Sequence, residues 1–165
     1  MYTIDVDVFN DNGTFIDLAG SPISGVLKHY YPNGYLSERH YKNGKLEGIA
    51  KYYYRSGKIG SEIPYKNDKA EGSATVYYES GRIRIEISYE NGDREGLLRG
   101  YYENGQIKAE IPYKNGKEEG LLKYYKNGKI NIEIPHKDGV TEGVARQYYK
   151  NGSIKTEESV DIIIY

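Results

Sequence analysis

The stretch YYENGQIKAEIPYKNGKEEG, residues 101–120, decides the fold of this chain. It contains two dipeptides, Asn104-Gly105 and Asn115-Gly116, whose residues tolerate the positive φ angles of tight hairpin turns. Between the two dipeptides, apolar and polar residues alternate from Gln106 to Tyr113. A period of two is typical of a β-strand. The stretch therefore predicts a strand, a tight turn, a second strand and a second turn.

The same pattern occurs six times along the chain. The string Tyr-Tyr-x-x-Gly recurs every 23 or 24 residues, with its glycine at Gly34, Gly57, Gly81, Gly105, Gly128 and Gly152. A glutamate recurs at the same period, at Glu38, Glu62, Glu86, Glu110, Glu133 and Glu157. Such self-similarity is the signature of a repeat protein. We therefore predict an all-β fold, a single elongated, twisted and curled antiparallel β-meander built from six hairpin repeats of 23–24 residues.

The repeats define one continuous domain with an extension at each end. Residues 1–24 are expected to form an N-terminal capping hairpin with its turn at Asn12-Gly13, residues 25–158 the six repeats, and residues 159–165 a C-terminal edge strand or tail. Two units are one residue short, between Gly34 and Gly48 and between Gly120 and Gly128. We predict a β-bulge or a local register slip at both places.

The register follows from a two-residue turn centred on Asn104-Gly105. That turn places Tyr102 opposite Ile107, Gly100 opposite Ala109 and Arg99 opposite Glu110. The same construction pairs Lys51 with Glu62, Thr75 with Glu86 and Arg146 with Glu157, and opposite charges across strands are stabilising. Continuing through Asn115-Gly116 sets Ile111 beside Gly120 and Ala109 beside Leu122.

This register gives the sheet one apolar and one charged face. The charged face is expected to carry the first tyrosine of each Tyr-Tyr pair. The apolar face is expected to carry the second tyrosine of each pair and the repeated isoleucines, namely Ile59, Ile63, Ile83, Ile85, Ile87, Ile107, Ile111, Ile130, Ile132 and Ile134.

Composition excludes several classes of function. The 165 residues carry 23 Lys and Arg against 24 Asp and Glu, a formal net charge of −1, which argues against a nucleic-acid partner. With no cysteine, the chain has neither disulfides nor thiolate metal sites. No apolar stretch is long enough to span a membrane, and residues 1–10 lack the features of a signal peptide. We expect a cytoplasmic protein, or a periplasmic or outer-surface protein if a signal sequence has been removed.

The polar residues do not form a catalytic or metal-binding motif. Six equivalent glutamates occupy six similar environments, whereas acid–base catalysis needs carboxyl groups with different pKa values. The histidines His29, His40 and His136 fall at different positions of the repeat, and a metal site needs converging ligands. We therefore predict a protein that is not an enzyme, with no catalytic residues, no metal and no cofactor.

The tyrosines are the candidate contact residues. The chain has 20 of them, and tyrosine is enriched at protein interfaces. A stacking platform for bases or sugars is the alternative, but glutamates interrupt the basic column that such a platform requires. The candidate partner-binding residues are the first tyrosines of the pairs, Tyr53, Tyr77, Tyr101, Tyr124 and Tyr148.

The unit from Tyr101 to Gly120 closely resembles the bacterial variant of the MORN repeat, and the resemblance covers residues 25 to about 158. It implies an elongated, curved antiparallel sheet. Proteins of the bacterial variant are often labelled antitoxins or immunity components, which bind and block a toxin domain. Other MORN proteins act as scaffolds or have been linked to phospholipid headgroups.

Together, the residues and the resemblance predict a protein–protein binding module. The resemblance implies an antitoxin or immunity protein whose partner is a toxin encoded nearby. The alternative is a structural or envelope-associated scaffold with peripheral contact to phospholipid headgroups. The near-zero net charge counts against the lipid contact, because binding to an anionic surface relies on a basic excess.

Overall fold

Residues 14–17 and 19–160, which the computed structural model describes, contain one antiparallel sheet and no helix. The strands are β1 (Gly25–Tyr30), β2 (Leu36–Lys42), β3 (Lys45–Leu46), β4 (Gly48–Tyr53), β5 (Ile59–Lys66), β6 (Lys69–Ala70), β7 (Gly72–Tyr77), β8 (Ile83–Glu90), β9 (Asp93–Tyr101), β10 (Ile107–Lys114), β11 (Lys117–Glu118), β12 (Gly120–Lys126), β13 (Lys129–Lys137), β14 (Val140–Thr141), β15 (Val144–Tyr148) and β16 (Ile154–Ser159).

Twelve of these strands lie side by side in chain order, from β1 to β16. The other four, β3, β6, β11 and β14, are two-residue strands that pair with the strand before them. Because β1 and β16 are the two ends of the order, the sheet is open. The predicted all-β antiparallel meander is confirmed. The turn proposed at Asn12-Gly13 and the tail residues 161–165 lie outside the described residues, and the boundaries of the two end segments stay predictions.

The two turns of each repeat are of different kinds. At Asn115-Gly116 both residues have positive φ, 51° and 78°, which is the two-residue turn that the sequence predicts. At the Tyr-Tyr turn, Tyr102 N donates to Gln106 O and Gly105 N donates to Tyr102 O, each at 2.8 Å. That turn has three loop residues with glycine at the left-handed position, so the predicted two-residue turn at Asn104-Gly105 is wrong.

The longer turn is compensated by a β-bulge. Ile107 pairs with Tyr101, and the register then shifts so that Gly100 pairs with Ala109 and Arg99 with Glu110, as predicted. The prediction that Tyr102 faces Ile107 is therefore wrong. The same shift follows the Tyr-Tyr turn in every unit from the second to the sixth.

The bulge also changes which face the first isoleucine of each unit occupies, because an extra residue reverses the alternation of side chains. Ile59 pairs with Tyr53, so it lies on the face of the first tyrosine. The assignment of Ile59, Ile83, Ile107 and Ile130 to the apolar face is therefore wrong.

A second register shift follows the Asn-Gly turns. Tyr113 pairs with Glu118 beside the turn, but further along Glu110 pairs with Lys123 and Ala109 with Tyr124. Ala109 is therefore not beside Leu122, and Ile111 is not beside Gly120. The shift is two residues, an even number, so it leaves every side chain on its predicted face.

The two short units lose different parts of the hairpin. In the first unit, β1 and β2 pair without interruption from Gly25 and Tyr41 to Tyr30 and Leu36, so the missing residue is the bulged one. In the fifth unit, Lys126 pairs with Lys129, so the missing residue belongs to the turn. The predicted irregularity is therefore wrong for the first unit, whereas the fifth unit has a register shift between Tyr124 and Tyr125, as predicted. The complete units have the same bulge, so it does not result from the deletions.

One face of the sheet carries the buried residues. We call it the alanine face, defined by Ala50, Ala74 and Ala109, which are 0%, 2% and 7% exposed. Leu27, Ile87 and Leu122 are also buried. The alternation of side chains along their strands places them on the same face as these alanines. At the first unit, Phe15 from the N-terminal segment packs on Tyr41, with ring centroids 4.7 Å apart.

The N-terminal segment is tied to the first Asn-Gly turn. Phe15 N donates to Gly44 O at 2.9 Å and Gly44 N donates to Ile23 O at 2.7 Å. A β-carbon added at Gly44 would lie 2.3 Å from Thr14 Cγ2 and 2.9 Å from Phe15 O, whereas at Gly57 nothing lies within 4 Å.

We predict that Gly44→Ala destabilises the protein more than Gly57→Ala does. Both glycines have φ near +80°, so both variants carry the left-handed strain of about 1–2 kcal/mol. Only Gly44→Ala also displaces the N-terminal segment. Urea unfolding gives the two free energies of unfolding, and equal losses would show that this segment does not support the first unit.

Candidate partner-binding face

A hydrogen bond between a tyrosine and a glutamate links each repeat to the next. In every case the phenol oxygen donates to the glutamate of the preceding unit. The pairs are Tyr53 with Glu38 at 2.7 Å, Tyr77 with Glu62 at 3.0 Å, Tyr101 with Glu86 at 2.6 Å, Tyr125 with Glu110 at 2.6 Å and Tyr148 with Glu133 at 2.5 Å. These residues define the glutamate face, which is opposite to the alanine face because side chains alternate along a strand.

Several of the glutamates also have a cation opposite them in their own hairpin. Glu62 lies 3.4 Å from Lys51 and Glu110 lies 3.5 Å from Arg99. Arg146 and Glu157 form the third predicted pair at 2.7 Å, and Lys28 pairs with Glu38. The predicted cross-strand charge pairs are therefore confirmed. The carboxylate is held from two sides, by a cation within the unit and by a phenol from the next unit.

This environment changes the acidity of both partners. Partial burial and the hydrogen bond to a carboxylate raise the pKa of Tyr53 and of Tyr125 to about 12. The bond to Glu86 is the main cause of the raised pKa of Tyr101. Hydrogen bonds from Lys28 and Tyr53 lower the pKa of Glu38. In these pairs the glutamate accepts the hydrogen bond and the tyrosine keeps its proton. The pairs therefore stabilise the sheet.

The structure places four of the five candidate tyrosines in this ladder. Tyr53, Tyr77, Tyr101 and Tyr148 are half-buried and use their phenol groups within the sheet. Tyr124 pairs with Ile132 on the alanine face, and Tyr125 takes the ladder position instead. The expectation that Tyr124 belongs to this column is wrong, because the missing residue lies in the turn. The role of these tyrosines in partner contact stays a prediction.

The second tyrosine of the pair closes the gap between neighbouring turns. The phenol oxygens of Tyr54, Tyr78 and Tyr102 donate to the backbone carbonyl oxygens of Tyr77, Tyr101 and Tyr125, at 2.6, 2.7 and 2.9 Å. The bulged residue packs on the same ring in two units, where Arg84 lies 5.7 Å from Tyr78 and Lys108 lies 5.8 Å from Tyr102. Successive turns are thereby held at a fixed spacing.

An apolar stripe crosses the glutamate face. It consists of the residue that follows the glycine near the start of β1, β4, β12 and β15 and the corresponding glycine inside β9, and we call it the outer stripe: Val26, Ile49, Leu97, Leu121 and Val144. The third unit has Ser73 at this position, so the stripe is interrupted there. Four of these side chains are exposed, Val26 at 48%, Ile49 at 47%, and Leu121 and Val144 at 37%. Prolines lie opposite three of them, namely Pro64, Pro112 and Pro135. This stripe was not predicted from the sequence, although an apolar residue follows the corresponding glycine in five of the six units.

The described residues contain no group of three or more His, Asp or Glu side chains arranged to hold a metal ion. His136 lies 3.3 Å from Glu118 and 3.1 Å from Thr141, and the ring of His29 contacts that of Tyr31. His40 pairs with Val26. Each histidine therefore has its own neighbours, and they do not converge. Within the same described part of the chain, no helix meets the length and apolarity needed to cross a membrane.

We predict that Tyr101→Phe lowers the free energy of unfolding by about 1–2 kcal/mol, because a hydrogen bond to a charged group is lost while Glu86 stays half-buried. Tyr35→Phe is the matched control, since Tyr35 is 42% exposed, and its effect should stay within about 0.5 kcal/mol. Chemical denaturation measures both variants, and equal effects would contradict the structural role of the ladder.

We also predict a loss of stability at alkaline pH. A pKa raised from 10 to about 12 in the folded state, as for Tyr53 and Tyr125, contributes stability that is complete below pH 10. That stability is lost as the pH rises towards 12. Denaturation across this range should show the decline, and a Tyr53→Phe, Tyr125→Phe double variant should decline less steeply. An identical slope in the double variant would contradict the prediction.

The repeats seen in the structure coincide with matches to a known family. The model described as the MORN repeat variant matches residues 24–43, 46–67, 70–91, 94–115, 119–138 and 141–161, which is more than half of the chain. No curated protein shows significant similarity to it. Proteins built from MORN repeats are generally non-catalytic binding or scaffold modules. The chain therefore belongs to the MORN repeat variant family.

Proposed function

We propose that this protein binds another protein through its glutamate face and that it acts as an antitoxin or immunity protein, which blocks a toxin encoded nearby. The observation that carries the proposal is the outer stripe. Exposed apolar patches with a polar rim mark interaction sites on folded proteins, and the outer stripe provides two of them, Val26 with Ile49 and Leu97 with Leu121 and Val144, on either side of Ser73. In this chain the apolar residues recur on the face that is otherwise polar, where burial within the fold does not account for them.

The dimensions of the stripe suit a protein partner. Between Val26 on β1 and Val144 on β15 there are ten strand-to-strand steps of about 4.8 Å each, which gives a stripe roughly 48 Å long. A standard protein–protein interface buries about 800 Å² on each partner, and a strip of this length provides that area at a modest width.

The charges beside the stripe supply the polar rim of such an interface. Lys51 follows Ile49 by two residues on the same face, and Arg146 follows Val144 in the same way. Apolar centres surrounded by polar residues are the usual anatomy of a protein interface. The tyrosine–glutamate hydrogen bonds on the same face hold the glutamate face in one shape, which limits the conformational entropy lost on binding. The antitoxin role rests on the resemblance, and this rigid surface supports it.

The proposal is tested by isolating the partner from the native host. The tagged protein is used to capture binding proteins, which are identified by mass spectrometry, and the affinity of the purified pair is then measured. We predict that Ile49→Glu and Leu121→Glu each weaken binding at least about tenfold, because a charge is placed in the apolar contact. Val140→Glu is the matched control, since Val140 is 38% exposed but lies on the turn strand β14.

Two results would contradict the proposal. One is equal affinity for the stripe variants and the control, which would place the contact elsewhere. The other is the absence of a protein partner together with sedimentation on anionic vesicles, which would favour the scaffold alternative. The antitoxin role has its own test, because host cells that express the partner alone should stop growing, and co-expression of this protein should restore growth.

A further inference from the structure

A cleft lies between the fifth and sixth units, near the C-terminal end of the sheet. Its volume is about 510 Å³, within the range of roughly 300–1,000 Å³ that is usual for ligand pockets. Four lysines line it, Lys126, Lys129, Lys150 and Lys155, together with the rings of Tyr148 and Tyr149 and three amide side chains. We call it the lysine cleft.

The cleft exists because the fifth unit departs from the repeat. In the second, third and fourth units, a tyrosine ring spans the gap to the next unit and bonds to its backbone carbonyl oxygen. In the fifth unit the shortened turn shifts the register, and Lys126 occupies the position of Tyr102. A flexible ammonium side chain therefore replaces the ring at this gap, where the following unit supplies Lys150 and Lys155.

The residues that line the lysine cleft carry a positive charge. None of the described residues that line it is acidic, although the whole chain has a net charge of −1. The four lysines are exposed, and none of them takes part in the ion pairs found among residues 14–17 and 19–160. Lys129 donates to the backbone carbonyl oxygen of Lys150 at 3.0 Å, which fixes one ammonium group at the wall of the cleft.

We infer that the lysine cleft binds an acidic segment of the protein partner, rich in Asp and Glu. The inference rests on the proposed function and adds a specific subsite to it. Ammonium groups are point charges on flexible stems, and they adapt to several carboxylates at different positions. The planar bidentate contacts that favour phosphate recognition come from arginine, and the described lining contains none. The cleft volume of about 510 Å³ fits several neighbouring side chains of a peptide better than a single inorganic ion.

The amides and rings suit a peptide as well. The side chains of Asn127, Asn131 and Gln147 provide donors and acceptors for a peptide backbone. Tyr149 is 54% exposed, so its ring offers an apolar surface to the methylene groups of glutamate side chains.

The test uses a fluorescein-labelled hexaglutamate peptide and the full-length chain at low salt, with binding followed by fluorescence anisotropy. The expected result is saturable binding that Lys150→Glu combined with Lys155→Glu weakens at least about tenfold. Lys126→Tyr, which restores the residue of the repeat, should also weaken it. The matched control is Lys66→Glu combined with Lys69→Glu, which makes the same charge change at an exposed turn and should alter the affinity less than about twofold.

Three results would overturn the inference. Equal losses in the cleft and control variants would show non-specific attraction. Displacement of the peptide by an equal concentration of inorganic phosphate would show a phosphate site, and cleft-dependent sedimentation on anionic vesicles would show a lipid site.

A captured partner separates this inference from the proposed function. If the stripe variants lose the partner and the cleft variants bind it normally, the proposed function stands and the subsite is wrong. If the cleft variants also bind the partner at least about tenfold more weakly, the subsite is supported.

Discussion

The fold depends on a carboxylate that two repeats share. Each ladder glutamate accepts a phenol hydrogen bond from the next unit, and several also face a cation in their own hairpin. A single hairpin is at best marginally stable in water, so the repeat gains stability mainly from its neighbours. Tyrosine suits this task because its ring covers apolar surface while its hydroxyl group reaches a polar partner.

In the second to the sixth unit, a bulge after the Tyr-Tyr turn sets the register in which the glutamate is shared. The three-residue turn adds one residue to the hairpin, and the bulge removes the resulting mismatch before the strand reaches the glutamate. Arg99 consequently faces Glu110 while the first isoleucine faces Tyr101. The first unit has neither the bulge nor a preceding unit, and its Tyr30 is 65% exposed. On the alanine face of this unit, Phe15 packs with Leu27 and Tyr41.

The residues that recur in every repeat and those that depart from the repeat have different roles in this chain. The repeated tyrosines and glutamates are used to hold the sheet together, so they say little about a partner. The outer stripe recurs as well, but four of its five side chains remain exposed. The lysine cleft arises where one residue is missing and a lysine replaces a ring. A surface that combines a recurring apolar contact with a charged cleft allows both affinity and specificity.

The repeat, the strands, the Asn-Gly turns and charge pairs such as Lys51 with Glu62 were predictable from the amino-acid sequence, because these depend on local φ preferences and on a period of two. The bulges were not predictable in this way. Whether a two-residue or a three-residue turn is more stable depends on contacts that only the assembled sheet provides. The bulge placed Ile59 on the other face, and the residue missing from the fifth turn put Tyr125 in the position expected for Tyr124. Three features appear only in the assembled structure, because each depends on the stacking of neighbouring repeats. They are the hydrogen bonds between tyrosines and glutamates, the exposure of the outer stripe and the convergence of four lysines in the lysine cleft.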